Sequence, residues 1–185
     1  MPTPAMEPVL GFEGRLPLQL QPLAAPPSPA ELDAWREHSL RALHAMALLE
    51  ERSTPLESGP EAEMERVHQK LDLLLTLVSQ LLQPGIGDGQ VRPLRLTAEG
   101  LSLEAPEPPP PAEALLLVTL GLHARAPLPL RWPARSLGLK DGRLRLQFLP
   151  MSEGLQTALE RFVFTHHRRS VAGSRSPNTL REGGA

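Results

Sequence analysis

Basic side chains able to hold an anion gather at two places in this 185-residue sequence. His166, His167, Arg168 and Arg169 are consecutive, with Arg175 soon after, and together they could bind phosphate. At a helix end the same residues would simply complement the C-terminal dipole. Arg131 and Arg135 form a second pair, spaced so that both lie on one face of a strand. A solvated strand face explains that pair equally well. Catalytic chemistry has less to draw on. There is no cysteine, no tyrosine, no G-x-S-x-G elbow, no P-loop and no G-x-G-x-x-G. His38, His44, His68, His123, His166 and His167 show no metal-ligand spacing. His166 and His167 would diverge by ~100° on a helix. No catalytic residue, metal or cofactor is therefore expected, and the chain reads as non-enzymatic.

Charge is divided unevenly. Residues 1–90 carry 6 Lys/Arg against 13 Asp/Glu, and residues 91–185 carry 13 against 8. The C-terminal half is the place to expect an anionic ligand, although its excess falls far short of a DNA-binding domain. Arginine outnumbers lysine 17 to 2, which reads as a GC-rich coding preference. The start lacks a basic segment followed by an apolar run, and no stretch approaches ~18 apolar residues. A soluble cytoplasmic protein without a membrane span is expected.

The elements that would position these groups begin with helices. Met64, Val67, Leu71, Leu74, Val78 and Leu81 alternate intervals of three and four, an a/d seam within 61–83. That helix would be about 34 Å long at ~1.5 Å per residue. Leu73, Leu75, Leu77 and Leu82 widen its apolar face beyond what a two-stranded coil needs, so that face should meet either this chain's own domain or more than one neighbouring helix; a homo-oligomer is the first expectation, and more than two chains would fit it. An earlier helix starts at Ser28-Pro29-Ala30-Glu31, where Ser28 caps, Pro29 takes the first helical position and Glu31 completes a capping box. Leu32, Trp35, Ala42, Met46 and Leu49 follow a heptad, with Ser39 as a polar exception. Residues 53–60 form a turn-rich connector, making 29–84 a helical hairpin and oligomerisation region. Before it lies a proline-rich leader, 1–28, in which FEGRLPLQLQPL suits a short docked strand.

Beyond Gly89 the period changes to two. Strands are expected at 91–96, 100–105, 115–122, 127–135 and 143–149, with Leu128, Leu130 and Trp132 on one face and Leu144, Leu146 and Phe148 inward. Asp141-Gly142 is a hairpin turn, and Pro106–Pro111 is a stiff surface loop. Five short strands argue for a small antiparallel barrel. A last helix from about Ser152 buries Leu155, Leu159, Phe162 and Val163, and 173–185 reads as a disordered tail. The fold class is α+β: a barrel with a C-terminal helix over 91–172, preceded by two long heptad-patterned helices.

Taken in order, FEGRLPLQLQPL, KLDLLLTLVSQLL, PLRLTAEGLSLEA and ERFVFTHHRRSVAGSR resemble the PilZ domain family, and within it the atypical, oligomer-forming branch in which a long heptad helix precedes the barrel. The resemblance covers about residues 10–173. It implies a cyclic di-GMP-linked signalling or adaptor protein, with a protein partner in motility or surface regulation. The family binds its nucleotide through R-x-x-x-R before the first strand and [D/N]-x-S-x-x-G across the first turn. Here the second motif falls on Arg95–Gly100, with Gly100 matching, Thr97 in place of serine and Arg95 in place of the acid or amide. Between Gly85 and Leu94 the only arginine is Arg92, so the first motif is missing. A self-associating adaptor is the first expectation. The alternative is a receptor that uses Arg92, Arg95, Thr97, Gly100, Arg168 and Arg169 as substitutes.

Overall fold

Six antiparallel strands close into a barrel in the order β1-β2-β3-β6-β5-β4. They are β1 (Gly11–Pro22), β2 (Gln90–Thr97), β3 (Gly100–Glu104), β4 (Leu115–Gly121), β5 (Pro129–Lys140) and β6 (Arg143–Phe148), with helices α1 (Pro29–Glu50) and α2 (Glu153–Ser174) outside. This computed structural model describes residues 10–50, 64, 67, 68, 70, 71, 74, 78, 90–122 and 128–174. The connector 53–60, the residues Leu73, Leu75, Leu77, Leu81 and Leu82, and the tail beyond Ser174 lie outside the described residues.

Alternation sets the strands. Leu16 and Leu18 in β1, Leu94 and Leu96 in β2, Leu101 and Leu103 in β3, and Leu144, Leu146 and Phe148 in β6 are all buried in one core. Each such side chain contributes ~1.5–3 kcal/mol when fully buried. The segment expected as a short docked strand is a full barrel member. β1 pairs with β2 from Gly11↔Thr97 to Leu18↔Gln90, then with β4 from Leu18↔Leu120 to Pro22↔Leu116. It thereby joins the two strands that would otherwise leave the sheet open. At the β5–β6 turn Asp141 and Gly142 have φ of 53° and 74°, which is the left-handed pair a tight hairpin requires.

The capping box forms as the residue types dictate. The Ser28 N–H and Oγ–H donate to Glu31 Oε2 at 2.8 and 2.7 Å, and the Glu31 N–H donates to Ser28 Oγ at 3.3 Å. These bonds to Ser28 hold the Glu31 carboxyl below the usual carboxylate range. From there α1 packs on β5 and α2, while α2 packs on β1 and the edge of β2. Leu155, Leu159, Phe162 and Val163 are the buried face of α2.

Ser39, the polar interruption in the α1 heptad, is fully buried. Its Oγ–H donates to the Arg131 carbonyl at 2.7 Å, and the Arg131 N–H donates to Ser39 Oγ at 3.0 Å. The β5–β6 pairing starts at Ala134↔Phe148, so β6 does not reach Arg131. One hydroxyl thus satisfies a donor and an acceptor that the sheet leaves over. Ser39→Ala strands both in a buried place, and each unsatisfied group costs about 1–3 kcal/mol. The expected loss is about 2–4 kcal/mol in urea unfolding. A loss under about 0.5 kcal/mol would mean that water replaces the hydroxyl.

Candidate functional site

Three surfaces carry the side chains that the sequence singles out. The first is helical. Met64, Val67, Leu71, Leu74 and Val78 are all in helix and all about half exposed, from 47% at Val67 to 58% at Met64. Side chains three and four apart share one helix face, so the spacing of these five exposed residues fits a single apolar stripe. The sixth seam residue, Leu81, lies outside the described residues.

The second surface is the turn between β2 and β3. Thr97 Oγ–H donates to the Gly100 carbonyl at 3.1 Å, and the hydroxyl oxygen accepts the N–H of Gly100 at 3.1 Å and of Glu99 at 3.3 Å. The threonine that stands in for serine therefore ties the turn to itself. Gly100 sits where β3 meets β6, and an added Cβ would run into the Leu146 carbonyl oxygen. The Arg95 side chain lies across Gly11, where a Cβ would come 2.7 Å from its Nε. His167 Nδ1 is 3.0 Å from the Gly11 carbonyl oxygen, which can only accept, so this ring nitrogen carries the proton. Beside it, the His166 ring lies tilted against Phe12 and Phe162, with centroids 5.0 and 4.2 Å away. Arg95, Gly11 and the end of α2 thus converge.

Arg92 and Arg131 stand apart from that turn, while Arg135 lines a cleft with its Ala98 and Glu99. Arg92 is three residues from Arg95, so on a strand the two point to opposite sides of the sheet. Arg92 continues the inward row of Leu94 and Leu96, and its guanidinium donates to Gln90 Oε1 at 2.7 Å. Arg168 lies 5.7 Å from the centroid of the exposed Phe164 ring, and Arg169 is exposed. Arg135 is paired with Glu113 at 2.9 Å. Arg131 turns instead toward α1.

That last contact forms the third surface. His38 Nε2 and Arg131 Nε are buried with no hydrogen-bond partner among the described residues. Burial holds the His38 pKa below the ordinary value, and the charges of Arg131 and then Arg41 add to the effect. The Pro129 carbonyl opposes it. The folded state therefore resists a proton that the unfolded chain accepts. Its stability is fully present above the ordinary histidine value of about 6.5 and is lost as pH falls from there through the depressed folded value. The thermal midpoint should drop between about pH 7 and pH 5, and His38→Gln should flatten that part of the profile. An unchanged slope in the variant would assign the acid sensitivity to other groups.

No helix among the described residues is long and apolar enough to cross a membrane. A family model described as an atypical PilZ domain, cyclic di-GMP receptor, matches residues 40–176. Among solved structures, the chain is similar to a pathogenic protein from Xanthomonas campestris, described as a tetrameric PilZ domain self-assembled via an unusual helical bundle. Identity is 28%, the alignment covers 90% of this chain and 92% of that one, and the TM-score is 0.62. No curated protein matches the chain. The family match starts inside α1, so β1 completes the barrel from outside the matched region.

Proposed function

The chain belongs to the atypical PilZ domain family, and on that premise we propose a non-enzymatic cytoplasmic signalling module that self-associates through its heptad helix. The observation that carries this reading is the stripe of Met64, Val67, Leu71, Leu74 and Val78, half exposed in the single chain. Five large apolar side chains in one line are what a partner helix covers. A second copy supplies the same line, and the related tetramer assembled through a helical bundle supports that choice. The output is proposed to be contact with a protein of motility or surface regulation in a cyclic di-GMP-linked circuit. Light scattering on the wild type tests the assembly; a mass of one chain at all concentrations would sink it.

Nucleotide binding through substitute residues is the second reading, favoured by the family's description as a cyclic di-GMP receptor. In this reading Arg95, with the turn of Thr97 and Gly100, meets the ligand near Gly11 and the end of α2, and Arg169 belongs to the same basic end. Arg92 faces the other side of the sheet, and Arg168 stacks on Phe164, so neither adds readily to one clamp. Charge-assisted bonds to a nucleotide contribute ~1.5–3 kcal/mol each. Micromolar affinity needs ~8 kcal/mol in all. Calorimetry with cyclic di-GMP separates the readings, since a flat titration leaves only the adaptor.

A further inference from the structure

At the end of the barrel where β2 begins, a cavity of about 730 Å³ opens between the strands and the proline-rich β3–β4 connection. Its floor includes Leu18, Leu20, Leu103 and Leu116, three of which are almost fully buried. Its wall is Pro108–Pro111, four consecutive residues with no N–H to offer a ligand. Floor and wall together thus suit hydrocarbon far better than sugar or peptide. At the lip stand Gln90 and Arg92, in the inward-facing row of β2. An arginine in that row is unusual, because inward positions of small barrels are filled by apolar side chains. Its described hydrogen bond is to the neutral amide of Gln90, and the ion pairs among the described residues, Arg36–Asp33, Arg41–Glu37 and Arg135–Glu113, do not include it.

We propose that the barrel mouth binds a single-chain fatty carboxylate, its hydrocarbon against Leu18, Leu20 and Leu116 under the proline wall and its carboxylate on Arg92. The volume lies in the ~300–1,000 Å³ range of small-molecule sites, and barrel mouths are a recurring place for them. Charge complementarity selects the head group. A carboxylate accepts a charge-assisted bond from the guanidinium, while the Gln90 side chain keeps an amide N–H to donate. The site shares no residue with the exposed helical stripe, so it stands or falls independently of the assembly reading.

Titration calorimetry of the full chain with dodecanoate below its micelle concentration tests the proposal, with 1-dodecanol and dodecyltrimethylammonium as neutral and cationic counterparts. Dodecanoate should bind, dodecanol about tenfold more weakly, and the cation not measurably. Arg92→Gln should weaken dodecanoate about tenfold and leave dodecanol unchanged. Leu20→Trp should fill the floor and abolish both, with circular dichroism checking the fold. Pro110→Trp does the same from the loop side if the strand variant does not fold. No heat with dodecanoate overturns the proposal, and so does equal affinity for dodecanoate and dodecanol or undiminished binding to the Trp variants. Binding that survives the Trp variants would place the ligand elsewhere on the protein.

Discussion

Leu71→Glu/Leu74→Glu should convert the proposed assembly to single chains while the barrel remains folded. Both side chains are about half exposed in the protomer, so the fold loses little when they change. In an assembly each buried leucine contributes ~1.5–3 kcal/mol per copy. Removing two therefore weakens association by about 3–6 kcal/mol per chain, a factor of roughly a hundred or more. Two carboxylates facing their symmetry mates add repulsion and a desolvation cost to that loss. Sedimentation velocity should show one slow species for the variant and a larger one for the wild type, with matching thermal unfolding of the barrel. If the variant keeps the wild-type mass, the seam is not the interface.

Gly100→Ala is the substitution expected to damage the fold most for the fewest atoms. The new methyl would meet the Leu146 carbonyl oxygen and come 3.1 Å from the Gln147 Cα, both of them backbone. A side chain could rotate away; a paired strand cannot. Relief requires moving β3 from β6, and with it the bond from the Phe148 N–H to the Glu99 carbonyl at 2.8 Å. Overpacking of this kind costs about 1–3 kcal/mol when neighbours adjust and more when they are backbone. We expect about 3–5 kcal/mol in urea unfolding, a range reached by few point changes. Gly154→Ala is the control, because a Cβ there meets nothing within 4 Å. In helix α2 it should be neutral or stabilising by up to ~1 kcal/mol. Comparable losses at the two glycines would refute the close approach at Gly100.

Local chemistry was readable in the sequence wherever a residue acts on near neighbours. The capping box at Ser28 and Glu31, the Asp141-Gly142 turn and the alternation of Leu144, Leu146 and Phe148 all follow from spacing alone. What escaped depends on distant pairing. FEGRLPLQLQPL carries the right alternation, but nothing within it says that β1 lies between β2 and β4 and closes the ring. Five strands were therefore expected where the barrel has six. Ser39 reads as a flaw in a heptad because its partner is 92 residues away. β5 continues past Arg135 to Lys140 because a register shift between Ser136 and Leu139 absorbs the irregularity. Among the site residues, Thr97 and Gly100 share the expected turn. The split between Arg92 and Arg95 was available from strand parity, since Leu94 and Leu96 define the inward row.

The stitch between Ser39 and Arg131 also bears on how this protein avoids sticking to itself in the wrong way. An open strand edge invites another chain to add to the sheet, and that route leads toward aggregates rather than counted subunits. In the closed ring every strand has a neighbour on both sides. The leftover backbone at Arg131 is covered by a helix. An added strand thus finds no ladder to extend at that position. A single serine, placed where a leucine would suit the heptad, helps keep the sheet closed to further strands.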